Sequence, residues 1–252
     1  MEPLIRRPLP SRRTVLAAAL VLPASGVAAD SARPLEPHMR LTHPAGEGLS
    51  VFLTFDACGG GFDGRIARAL VDGGVAATVF VSGVWLRANP EATAFLLARR
   101  DLFALENHGA RHIPPVLGGR RVFGLTGARD LDAVRAEATA GAAAVRAACG
   151  AAPLWYRGAT GFYSPGALTA IREMGLGVAA YSFSADDGAS LPAPGVARRF
   201  AGVTNGSVIV AHINQPRRSS GAGAAMGIAA LRARGVRFLR LDAYGPADFT
   251  YS

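Results

Sequence analysis

Residues 53–61 read Leu-Thr-Phe-Asp-Ala-Cys-Gly-Gly-Gly. An apolar run breaks off at a single carboxylate, Asp56, and passes into glycines. That pattern marks a strand that delivers a side chain to a site at its C-terminal edge. Outward from this stretch the arrangement recurs. Strands are expected over 49–55, 77–81, 102–105, 154–156, 178–183, 208–211 and 238–241. Helices are expected over 63–72, 90–100 with Asn89 as its cap, 130–148, 165–174, 195–200 and 223–234. Strands alternating with helices at this pitch predict an α/β fold with a parallel sheet, and the number of units predicts a barrel. No internal repeat or linker divides the region, so residues 30–252 are expected to form one domain.

The chain has 252 residues, half of them apolar, which is enough for one sizeable core. Its net charge is +9, of which the first 29 residues carry +3 and the remainder +6. The arginines outside the leader are spread along the chain, and no nucleic-acid motif or basic tract accompanies them. Residues 1–29 have the three-part order of a cleaved export signal. The paired Arg12-Arg13 precedes an apolar stretch over 15–22 and a small-residue ending at Val27-Ala28-Ala29. The arginine pair is similar to the twin-arginine type of signal. The apolar stretch is too short for a permanent span, and an exported protein, periplasmic or secreted, is expected. Two cysteines, Cys58 and Cys149, are present, and no bridge between them is assigned.

Asp56, His108, Arg157, Asp186 or Asp187, and His212 each follow an expected strand. In a parallel barrel such positions share one rim, where an acid, an imidazole and a guanidinium together read as catalytic. His108 and His112 form H-x-x-x-H. If one helical turn joins them, both imidazoles fall on one side and share a cation, typically zinc. A catalytic zinc needs a third protein ligand, and Asp56 is the obvious carboxylate to complete or neighbour that site.

These segments resemble the polysaccharide deacetylase family, the carbohydrate esterases built on the NodB homology domain. Thr54-Phe55-Asp56 resembles its first motif, T-F-D-D-G, and Asn107 to His112 its second, H-[ST]-x-x-H. Arg157-Gly158-Ala159-Thr160-Gly161 is similar to R-x-P-x-G, with Ala159 where proline is usual. Asp186-Asp187-Gly188 stands at the acid-rich fourth motif, without its tryptophan, and Val208 to His212 resembles the fifth. The resemblance spans about residues 49–241 and implies a distorted (β/α) barrel. It implies a metal-dependent hydrolase that removes acetyl groups from a polysaccharide. Asp56 would be the general base, His108 and His112 metal ligands, and His212 the general acid. Arg157 would tune Asp56, and Asp186 or Asp187 would orient His212.

Ala57 departs from that pattern, because the family's second aspartate is its third metal ligand. Three readings stay open. Asp56 itself ligates the metal while another acid serves as base; or two histidines bind it with water or Cys58 while Asp56 stays the base; or the protein binds glycan without hydrolysing it. A metal-independent amidohydrolase of the same fold is a further alternative. Trp155, Tyr156 and Tyr163 are candidates to stack on sugar faces, with packing in the core as the alternative.

Overall fold

The structure, a computed structural model, describes residues 32–252. The expected leader and its cleavage point lie outside the described residues. In chain order the main elements begin with β1 (Met39–Leu41), β2 (Ser50–Ala57), α1 (Gly64–Gly73), β3 (Ala77–Val81), α2 (Gly83–Ala88), α3 (Pro90–Leu97) and β4 (Phe103–Asn107). A small hairpin, β5 (Arg121–Val122) and β6 (Leu125–Thr126), precedes α4 (Leu131–Cys149), β7 (Trp155–Tyr156) and α5 (Pro165–Glu173). Then come β8 (Gly177–Val178), β9 (Phe183–Ser184), α6 (Ala193–Ala201), β10 (Ser207–His212), α7 (Ser220–Ala233), β11 (Arg237–Leu239) and β12 (Phe249–Tyr251).

The main sheet runs β12-β1-β10-β2-β3-β4-β7-β8, with β11 also pairing β2 and β9 pairing β10. Its central strands are parallel, while β1 pairs antiparallel with both β10 and β12. The sheet curls, and Tyr251 at one edge donates its hydroxyl to the Val178 carbonyl at the other. This is the distorted barrel expected.

All eight residues of β2 are buried, as a strand covered on both faces must be. Side chains alternate between the faces. Val51, Leu53, Phe55 and Ala57 enter the outer core beneath α1, α6 and α7, together with Val79, Val81, Ile209 and Ala211. Phe52, Phe80, Trp155, Val208 and Val210 fill the concave side. A third cluster, with Val134, Ala138, Tyr156 and Ile171, lies under α4 and α5.

The single strand expected over 178–183 forms instead as β8 and β9. Between them the carbonyls of Ala179 and Ala180 accept hydrogen bonds from Arg157, and that of Tyr181 accepts from Met39. A chain whose carbonyls are diverted in this way cannot continue a ladder. The helix expected over 90–100 stops at Leu97, and α2 precedes it. The Asn89 side chain does not cap it, but donates to the carbonyls of Gly60 and Trp85.

Candidate active site

Strand parity assembles the site. Asp56 shares the concave-face parity of Phe52, and His212 that of Val208 and Val210. Asp56 and His212 are register partners on adjacent parallel strands. His108 follows β4 and Arg157 follows β7, and the Arg157 N–H donates to the Asn107 carbonyl, so these two strand ends are also side by side.

Arg157, 1% exposed, is held by four hydrogen bonds. Nε and Nη2 donate to the carbonyls of Ala179 and Ala180, each at 3.1 Å. Nη1 donates to Thr54 Oγ1 at 2.8 Å and to Asp56 Oδ1 at 2.9 Å. Its guanidinium lies 4.1 Å from the centroid of the Phe80 ring. Burial alone would raise the Asp56 pKa, but the charge of Arg157, followed by those of His108 and His212, holds it below the ordinary carboxylate value. Asp56 is therefore ionised, with Oδ2 left clear of Arg157.

Of the two candidate acids after β9, Asp186 reaches His212. Its Oδ1 lies 2.9 Å from His212 Nδ1, and its Oδ2 accepts the His212 backbone N–H at 2.7 Å. Asp187, at φ 46°, turns outward into a two-pronged ion pair with Arg199. Burial would lower the His212 pKa, but the charge and hydrogen bond of Asp186, with smaller contributions from Cys58, raise it well above the ordinary value. This environment favours the imidazolium form of His212.

His108 and His112 are joined by a loop, not by the helical turn expected. Gly109 (φ 81°) and His112 (φ 63°) both take left-handed conformations. A Cβ at Gly109 would come within 2.6 Å of Glu137 Oε1, so a close approach also requires glycine there. The loop nonetheless brings the two rings to a centroid distance of 4.8 Å. Glu137 on α4 fixes it, with Oε1 accepting the N–H groups of Arg111 at 2.7 Å and Ile113 at 3.2 Å, on either side of His112. Sequence reasoning missed Glu137. The signal was a lone acid among Val134, Ala138, Gly141 and Val145, the buried face of an alanine-rich helix.

His108 Nδ1 lies 2.7 Å from the Arg157 carbonyl, an acceptor, which places the proton on Nδ1. With Nδ1 committed there, Nε2 is the ring nitrogen that faces the cavity, 3.4 Å from Cys58 Sγ and 3.8 Å from Asp56 Oδ2. Cys58, His108 and His112 offer one donor atom each, all within 4.8 Å of one another. His112 Nε2 is buried with no hydrogen-bond partner. Both cysteines are free thiols.

These groups line a cavity of about 600 Å3 with Glu36, Phe123, Tyr181 and Asp187 at its walls. Trp155, Tyr156 and Tyr163 do not reach it. They are at most 1% exposed: Trp155 donates Nε1–H to the Leu241 carbonyl beneath the site, Tyr156 sits under α4 and α5, and the Tyr163 hydroxyl accepts from the Gly158 N–H. All three are core residues, which corrects the sugar-stacking expectation. Of Phe123 and Tyr181 at its walls, the ring more open to a ligand is Phe123, in the β5–β6 turn and 81% exposed.

The model of the polysaccharide deacetylase family matches residues 44–179. The chain belongs to this family. Membership makes it a hydrolase acting on the amide bonds of acetyl groups. Asp186 and His212 lie beyond the matched span. No curated protein matches the chain in sequence. Among solved structures, the Bc1960 peptidoglycan N-acetylglucosamine deacetylase is 21% identical, with a TM-score of 0.63 over 78% of this chain and 87% of its own. A family 4 acetyl xylan esterase from Clostridium thermocellum, solved with cobalt, is 23% identical, with a TM-score of 0.61 over 77% and 88%. A family 4 pseudoenzyme from Bacillus anthracis is 17% identical, with a TM-score of 0.61 over 80% of this chain and 66% of its own. At these identities the likeness speaks for the polysaccharide deacetylase fold.

Proposed function

We propose that the chain is an exported, metal-dependent deacetylase that removes acetyl groups, chiefly N-acetyl, from a cell-envelope or extracellular polysaccharide. The observation that carries this reading is the pairing of Asp56 with His212. They are neighbours on one rim, the first kept ionised by Arg157 and the second kept protonated by Asp186. A base and an acid poised in opposite states at neutral pH suit the two proton transfers of amide hydrolysis.

His108 and His112 fit a divalent cation, zinc in this reading, because both present nitrogen donors to one point and His112 Nε2 has no other partner. A metal held there supplies a Lewis acid for the acetyl carbonyl and favours deprotonation of water. Asp56 Oδ2, free of Arg157, takes the proton from the attacking water. Arg157 keeps that carboxylate aimed and charged. As the carbon–nitrogen bond breaks, His212 Nε2 delivers its proton to the leaving amine, and Asp186 holds the ring in the required orientation. Phe123 offers a face for a sugar ring at the cavity mouth. The leader with Arg12-Arg13 and the small-residue ending supports export. Among the described residues no helix is long and apolar enough to cross a membrane.

Ala57, in place of the usual ligand, favours a second reading, a glycan-binding pseudoenzyme. Acetate release separates the two. The zinc-loaded protein should free acetate from N-acetylglucosamine oligomers or peptidoglycan strands, and Asp56→Asn and His212→Ala should each lose about two to four orders of magnitude in rate. Glycan binding without acetate release, with zinc, cobalt or manganese supplied, would establish the binding module instead.

A further inference from the structure

Resting on the metal-dependent reading, we propose that Cys58 is the third protein ligand, so that the site is a cysteine–histidine–histidine centre selecting zinc over hard cations such as magnesium and manganese. The argument begins with Ala57. It lies on β2, fully buried, with its methyl group in the outer core beside Val81 and Phe55. Position 57 therefore faces away from the two histidines. A carboxylate there would enter an apolar cluster instead of the site. One residue further the side chain returns to the concave side, and that residue is Cys58.

Its sulfur lies 3.4 Å from His108 Nε2, the ring nitrogen turned toward the cavity by the bond from Nδ1 to the Arg157 carbonyl. His112 approaches from the 109–112 loop with a buried, unpartnered Nε2. The three donor atoms lie within 4.8 Å of one another and line the cavity that also holds Asp56 and His212. Asp56, by contrast, commits one oxygen to Arg157 and is 3.8 Å from His108 through the other. Three donors of this type leave an open coordination position, as catalytic zinc requires. Thiolate and imidazole together select zinc, whereas a carboxylate in the set would suit harder ions. Cys58 also lies near His212, which Asp186 orients, an arrangement that a thiol nucleophile would use. A nucleophile needs one imidazole, and the convergence of His108 and His112 on the same sulfur favours the ligand.

The test uses the protein carrying Cys149→Ser, which leaves Cys58 as the only thiol. Loaded with cobalt, it should show a near-ultraviolet thiolate-to-metal charge-transfer band, and bound zinc should slow alkylation of Cys58. Cys58→Ser in the same background should lose the band. Its zinc affinity should fall by more than the roughly 10–100-fold typical of losing a group that only supports a ligand. Cys58→Asp should retain metal and shift preference toward manganese, whereas Ala57→Asp should not improve zinc binding and should lower stability. Unchanged zinc affinity in Cys58→Ser, without a charge-transfer band in its parent, would overturn the ligand assignment and leave the deacetylase reading standing. Acetylation of Cys58 in the metal-free protein by an activated acetyl ester, again without the band, would overturn it in favour of a nucleophile. The band together with no acetate release from any glycan would uphold the ligand and remove the deacetylase reading.

Discussion

Asp186 grips His212 through both carboxylate oxygens, one facing the ring Nδ1 at 2.9 Å and the other accepting the backbone N–H at 2.7 Å. The backbone bond fixes where the strand ends, and the ring bond fixes which nitrogen points into the cavity. One side chain thus sets both the position and the charge of the proposed acid.

Asp186→Asn tests that coupling. The amide retains an acceptor for the backbone N–H but removes the charge that raises the His212 pKa. A raised histidine pKa keeps the proton as pH rises, so activity is lost on the alkaline side, above the ordinary value of 6.5. In the variant the alkaline limb of the pH–rate profile should move to lower pH, and the rate at about pH 8 should fall at least tenfold. Zinc content should not change. An unmoved alkaline limb would mean that another group delivers the proton.

Glu137 touches none of the proposed reacting atoms, yet it holds the loop on both sides of His112. Glu137→Ala should release two backbone N–H groups and let His112 depart from its left-handed conformation. Zinc affinity should drop by about 10–100-fold, the usual effect of losing a group that supports a ligand. Glu137→Gln keeps an acceptor at Oε1 and should restore most of it. Equal zinc affinity in all three proteins would show that the loop holds its shape unaided.

The alternation of elements was legible in the sequence because buried parallel strands read as short apolar runs, as in 49–55, 77–81 and 208–211. Asp56, His108, Arg157 and His212 stood out because each follows such a run, and side-chain parity does the rest. Other features depended on contacts between distant segments. β1 and β12 are three residues each and pair across most of the chain, leaving no local pattern. Asp186 and Asp187 are identical in type, and the positive φ of Asp187 with Arg199 on α6 separates their roles. The H-x-x-x-H spacing suits a helical turn, but Gly109 permits the loop seen instead. Trp155 and Tyr156 flank a site residue on a strand whose two faces are both buried, so adjacency to Arg157 carried no information about exposure.

Phe123 is expected to act on substrate binding alone. It is 81% exposed, packs edge-on against Phe162 and takes φ 47°, a conformation disfavoured for an aromatic residue. Phe123→Ala should raise KM for a glycan oligomer by a few-fold to about tenfold, matching the ~0.5–1.5 kcal/mol of an aromatic contact. The kcat and the thermal midpoint should stay close to those of the native protein, since the ring contributes little to the core. A fall in kcat at unchanged KM would place Phe123 outside sugar binding.

Glu106 lies on β4 two residues before His108, 3% exposed. Its Oε2 accepts the N–H groups of Leu154 at 2.9 Å and Trp155 at 2.8 Å, tying β4 to the start of β7. Burial outweighs those two bonds and, with Asp242 nearby, raises its pKa from 4.5 to about 7. A carboxyl whose pKa is higher in the folded state binds its proton more tightly there. Its favourable contribution is complete below the unfolded value and is lost as pH rises from about 4.5 to about 7. The shift corresponds to about 3 kcal/mol at most. Glu106→Gln keeps an acceptor for both N–H groups and carries no charge. Urea unfolding at about pH 5 and about pH 8 should therefore show the native protein losing up to about 3 kcal/mol more than the variant across that window. Near pH 5 the two should be close in stability, and near pH 8 the variant should be the more stable. If both proteins show the same pH dependence, the two N–H groups are strong enough to keep Glu106 ionised throughout, and the strand tie is a charge-assisted one.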